Sequence, residues 1–104
     1  MRDRLMSANI RLNAKTHHLD VVGVVNIDNI VRLRQAGTIL IEQIEKPVIN
    51  LEYMITGDST VLALLTAWTR DAKKLGKPLH FSKLPPPLFE IAKLSNLDQV
   101  LKIS

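Results

Sequence analysis

Cysteine is missing from all 104 residues, and with it go disulfides, thiolate zinc sites and cysteine nucleophiles. That is compatible with a reducing compartment. Aromatic residues number four, too few to build a platform on which nucleobases stack, so nucleic acid is not the expected partner. Glycine is equally scarce at four, and none sits in a phosphate-cradling loop, which leaves P-loop and Rossmann nucleotide binding without a motif. No stretch of about 18 uninterrupted apolar residues is present, and Met1-Arg2-Asp3-Arg4 does not lead into the apolar core of a signal peptide. The expectation is a soluble, cytoplasmic protein that does not insert into a membrane.

What is present is aliphatic. Hydrophobic residues make up 46% of the chain, chiefly Val, Ile and Leu, which favours strands and helices packed in layers. One domain over residues 1–104 is expected, with residues 1–8 as a weakly ordered N-terminal segment. The formal charge is +4, but the cations, among them Arg2, Arg4, Arg11, Lys73, Lys74, Lys77, Lys83, Lys93 and Lys102, are scattered, with no block of five or six. A solvated surface is the reading, with a weak preference for negatively charged neighbours left open.

Ile10 to Lys15 alternates apolar and polar as a half-buried strand near an edge does. Leu19 to Val25 is nearly all apolar and reads as a strand buried on both faces, interrupted at Gly23 by a bulge or close backbone approach. A helix beginning near residue 28 places Ile30, Leu33, Leu40, Ile41 and Ile44 at helical spacing, weakened and bent at Gly37-Thr38. Val48 to Ile55 reads as one buried strand. From about Ser59 to Leu75 a second helix collects Val61, Leu64, Leu65, Trp68, Ala72 and Leu75 on one face, and Gly76 stops it. Ala63 and Ala67 leave part of its outer face small and flat, a landing surface for another helix or simple helix propensity. Pro78 opens a fourth strand to Ser82, Pro87 the first turn of a third helix, and Leu97 to Ile103 returns to the core as a short helix or strand. The order describes an α/β layer: a mixed sheet of four or five strands covered by three to four helices.

Catalytic chemistry has little to work with. Nothing places His17, His18 or His80 beside Ser59 as a triad requires, the three histidines lack a metal-binding spacing, and Glu42 with Glu45 is an ordinary helix surface pair. The chain is expected to be no enzyme and to need no cofactor or metal. Attention therefore falls on Gly57-Asp58-Ser59-Thr60, where strand gives way to helix. Asp58 or Ser59 is the natural N-cap there, accepting a backbone N–H from the first turn.

The strand Val48-Ile49-Asn50-Leu51, a short connection, then Asp58-Ser59 ahead of Leu62-Ala63-Leu64-Leu65 resembles the central motif of STAS domains, the family of the anti-sigma-factor antagonists. Gly23 with Asn26-Ile27-Asp28, Leu33 to Gly37, Ala72 to Gly76 and Ile91 to Leu97 resemble further pieces of that fold in order, so the likeness spans about residues 10 to 103. Within the family, Leu62 to Leu65 and Ile91 to Leu97 look most like the small cytoplasmic STAS subunit of the Mla phospholipid-transport ABC complex. The resemblance implies a non-enzymatic subunit that binds an ABC-transporter ATPase and lies peripheral to the inner membrane through it. The residue carried over to the contact is Ser59, flanked by Asp58 and Thr60, with Ala63, Ala67 and Arg70 as the neighbouring helix face. In the antagonist branch the same serine is phosphorylated by a partner kinase, the anti-sigma factor, which is the alternative reading. The family usually follows this serine with small residues. Thr60 and Val61 stand there in this chain, and a β-branched Val61 is expected to limit how closely a partner backbone approaches.

Overall fold

The computed structural model describes residues 8–55 and 59–103. Strand β1 (Ala8–Leu12) is antiparallel to β2 (Leu19–Val24), and β2 then pairs in parallel with β3 (Val48–Asn50), which pairs in parallel with β5 (His80–Ser82). A short β4 (Met54–Ile55) also runs parallel to β2, completing a mixed five-stranded sheet in the order β1-β2-β3-β5. Beyond β5, Ile103 forms a parallel bridge to Phe81, and the Phe81 N–H donates to the Lys102 carbonyl at 2.8 Å. The final segment is therefore a 3-10 turn at Leu97–Gln99 followed by one rung of sheet. Ala8, placed by the sequence in a weakly ordered segment, opens β1 and is buried; residues 1–7 lie outside the described residues.

Alternation holds for β1 through Ile10, which is buried between exposed Asn9 and Arg11, although the strand is shorter than Ile10 to Lys15. Asn13 ends it. Its side-chain oxygen accepts the N–H groups of Lys15 and Thr16, its carbonyl accepts that of His17, and His17 takes a left-handed φ of 63°. Asn and His belong to the residue types most tolerant of such turns. On β2 the buried run is Leu19 to Val21, and Gly23 carries the positive φ, 103°, that its lack of a Cβ permits.

Residues 48–55 are two strands, not one. Asp20 pairs with Asn50, thirty positions on, whereas Gly23 pairs with Met54, thirty-one positions on, so one extra residue is accommodated between β3 and β4. A turn absorbs it: Met54 N–H donates to the Leu51 carbonyl at 3.3 Å, and the Glu52 N–H to the Asn50 side chain at 3.2 Å. Ile49, Leu51 and Met54 face the core, while Tyr53 and Ile55 are 54% and 61% exposed.

Helix α1 (Ile30–Glu42) is continuous through Gly37-Thr38, so it does not pause there. Gly37 faces Trp68, on α2 (Thr60–Lys74). Its indole is fully buried across the α1 backbone and donates from Nε1 to the Arg34 carbonyl at 3.1 Å. A Cβ on Gly37 would lie 2.4 Å from that same nitrogen. Glycine at 37 is thus the groove into which the tryptophan fits.

Helix α2 buries Val61, Leu62, Leu64, Leu65, Trp68 and Ala72. It closes as the Gly76 signal predicts: Gly76, at φ 70°, donates to the Lys73 carbonyl at 3.1 Å, and Lys77 to that of Ala72 at 2.9 Å. These two bonds form a Schellman closure. Helix α3 (Pro86–Leu94) starts on prolines, whose missing N–H groups cost nothing in a first turn. Among the described residues two polar side chains are buried, and both are tied down. Asp20 accepts from the side-chain amides of Asn13 and Asn50, each at 3.0 Å, and Asn29 donates to the Val24 carbonyl at 2.8 Å.

Candidate functional site

Parallel strands β2 and β4 run in the same direction into α1 and α2, so the heads of both helices stand at the C-terminal edge of the sheet, where side chains project without being needed for the core. Ser59 occupies the N-cap position of α2 and is exposed. It is not the cap the sequence predicts. Its backbone, φ −86° and ψ 6°, already lies near helical values, its carbonyl accepts the Leu62 N–H at 2.9 Å, and its hydroxyl makes no capping bond. Thr60 is half-buried at the first helical position, and Asp58, the other expected site residue, lies outside the described residues.

Val61 is fully buried. Its branched side chain packs inward, so it does not obstruct the approach of a partner as the sequence suggests. Ser59, Ala63, Ala67 and Arg70 are spaced by four, four and three, which sets them along one side of the helix. Ala63 is exposed, Ala67 half-buried and Arg70 exposed. The last three line a groove of about 580 Å³ between α1 and α2, whose other wall carries Ile30, Val31 and Arg34. Val31 is 65% exposed and Ile27, in the loop before α1, is 70% exposed. The sequence singled out the alanine face but missed these two apolar residues. Their spacing alone could not separate a core-facing position from a solvent-facing one.

Beside this groove the helices are locked by an ion pair between residues 37 positions apart. The Arg34 guanidinium donates twice to Asp71, at 2.7 and 2.9 Å, and the Thr38 hydroxyl donates to the same carboxylate at 2.8 Å. The hydrogen bond from Arg34 holds the Asp71 carboxyl down at about 2, against the opposing effect of burial and with help from Thr38 and the charges of Arg34 and Lys74. Because the folded value lies below the ordinary 3.8, this contribution is present above about pH 4 and is lost as pH falls through about 2. A shift of this size on a fully shielded pair corresponds to about 2 kcal/mol; Arg34 is 42% exposed, so about 1 kcal/mol is expected after screening. Urea unfolding between pH 5 and pH 2 should therefore show Asp71→Asn less stable at pH 5 and level with the parent near pH 2. A constant gap across that range would show that the carboxylate's charge contributes nothing.

His17, His18 and His80 do not approach one another as ligands: among the described residues no group of three His, Cys, Asp or Glu side chains is placed to hold a metal ion. Nor, among those residues, is any helix long and apolar enough to cross a membrane.

The family described as "Mlab, STAS domain" matches residues 8–102. A chain of the Acinetobacter MlaFEDB complex in its ATP-bound Vtrans2 conformation is 25% identical and superposes with a TM-score of 0.77, covering 91% of this chain and 98% of its own. The unphosphorylated anti-sigma factor antagonist SpoIIAA is 15% identical, with a TM-score of 0.64 over 91% of this chain and 87% of its own. A STAS-domain protein from Planctomyces limnophilus, also 15% identical, gives 0.64 over 92% and 89%. No curated protein matches the chain. Taken with the mixed sheet and the three helices around it, the match from residue 8 to residue 102 makes this chain a member of the STAS-domain family, of the MlaB type.

Proposed function

We propose that the protein is a non-enzymatic STAS subunit that binds and supports the ATPase of an ABC transporter for phospholipid transport, at the cytoplasmic face of the inner membrane. The observation that carries this reading is the likeness, over nearly all of both chains, to a component of the MlaFEDB complex. The site supports it physically. A groove walled by Ile30 and Val31 and floored by the small side chains of Ala63 and Ala67 accepts a helix or loop at close range, and Arg70 at its border favours an acidic rim on the partner. Ser59 at the head of the same helix extends the contact.

A second reading, an antagonist whose serine is phosphorylated by an anti-sigma-factor kinase, is favoured by one observation: the Ser59 hydroxyl is exposed and uncommitted to the helix cap. Co-expression separates the two. Tagged protein is expected to co-purify in fixed stoichiometry with an ABC-transporter ATPase encoded in the same cell. Recovery of a serine kinase in its place, with phosphate on Ser59, would overturn the first reading and establish the second.

A further inference from the structure

Cations scattered along the sequence converge in the fold. Arg70 and Lys73 from the last turns of α2, Lys77 from the loop after it and Lys102 from the final segment line a single open pocket of about 590 Å³, and no carboxylate shares that lining. Among the described residues the ion pair present is Arg34 with Asp71, so none of these four is neutralised by a partner. Lys73 has an ordinary explanation, since a cation in the last turn complements the helix dipole. Lys77 and Lys102 do not. The Schellman closure already supplies N–H donors to the Ala72 and Lys73 carbonyls, and it fixes the backbone from which Lys77 projects. Lys102 is held by the sheet, its carbonyl accepting the Phe81 N–H.

The pocket is not purely polar. Ala72, Leu79 and Val100 contribute apolar surface, Val100 being 53% exposed. The hydroxyls of Thr66 and Thr69 point elsewhere for their donors: each donates to a carbonyl one turn back, at 2.8 and 2.9 Å. Recognition here rests on charge, with the Gln99 amide as the neutral donor. Ammonium groups around an apolar floor suit a phosphate attached to an apolar body.

We propose that this pocket binds the phosphate group of a partly apolar molecule, whether a soluble alkyl phosphate or the headgroup of an anionic phospholipid. Arg70 borders both this pocket and the groove between α1 and α2, but Lys77 and Lys102 lie outside that groove, so the inference is tested on them independently of the protein partner. Two probes distinguish the sources: butyl phosphate titrated by amide NMR, and flotation with phosphatidylcholine vesicles prepared with or without phosphatidylglycerol. The expected result is a saturable shift of the Lys73, Lys77, Gln99 and Lys102 amides with butyl phosphate, or flotation that requires phosphatidylglycerol. Either should weaken by about tenfold or more in the double variant Lys77→Glu/Lys102→Glu, since each charge-assisted bond removed is worth about that factor. The double variant Arg11→Glu/Lys15→Glu at the β1–β2 hairpin changes net charge equally and should bind as the parent does. If the first double variant fails to fold, Lys102→Gln alone, on an exposed side chain, is expected to weaken binding in the same direction. Absence of both responses, or an equal loss in the hairpin control, would overturn the proposal and leave a diffuse attraction of a basic protein for anions.

Discussion

Replacing Gly37 with alanine is expected to destabilise the protein by about 2 to 3 kcal/mol, although alanine is the better helix former by about 1 kcal/mol. The two effects oppose each other, and distance decides between them. The added methyl would meet Nε1, Cε2 and Cζ2 of Trp68 at 2.4 to 2.6 Å, inside any tolerable carbon contact. The indole cannot swing aside, because it is fully buried and held by its bond to the Arg34 carbonyl. Relief must come from moving α1 off α2, which also stretches the Arg34–Asp71 pair. Thermal melting should fall by roughly 10 °C or more for a domain of this size. In the Trp68→Leu background the same alanine should cost far less, the sign of a shared contact. A neutral or stabilising Gly37→Ala would show that the helices are not packed through this position.

Ser59 gives the second large effect, and it separates binding from folding. Since the hydroxyl makes no capping bond, Ser59→Ala should lower stability by less than the usual ~1 kcal/mol for loss of a cap. Ser59→Glu places a carboxylate at the positive end of α2, which tolerates or favours it, so the melting temperature should hardly move. In a desolvated contact with a partner, that carboxylate has nothing to pair with and should weaken association by several kcal/mol. The expected outcome is a folded Ser59→Glu protein that no longer co-purifies with the transporter ATPase. Binding at the parent affinity would shift the contact to the Ala63, Ala67 and Arg70 side of the groove.

Much of this architecture is written in local pattern. The alternation around Ile10, the spacing from Val61 to Ala72 and the stop at Gly76 each reflect a period or a backbone preference that acts within a few residues, and such signals survive in a sequence. The helix head carrying Ser59 was legible for the same reason. What escaped depends on distant partners. Gly37 reads as a weak point until Trp68 is brought against it from 31 positions away. Arg34 and Asp71 read as separate surface charges until the helices pair them. Lys77 and Lys102 look scattered until Gly76 and the last rung of sheet turn them toward one another. The expectation of a cap at Asp58 or Ser59 rested on residue type, and of the two, Ser59 stands at the N-cap position without a capping bond from its own side chain.

The additional residue between β3 and β4 makes that stretch a parity switch. Side chains on a strand alternate strictly, so an odd insertion exchanges inside and outside for all that follows, whereas an even one restores them. Continuing the alternation from Ile49 and Leu51 would send Tyr53 and Ile55 inward and Met54 outward; the observed burial is the reverse. The turn, not composition, thus decides what this part of the protein displays. The same letters paired as one uninterrupted strand would fold Tyr53 and Ile55 into the interior and turn Met54 out to solvent.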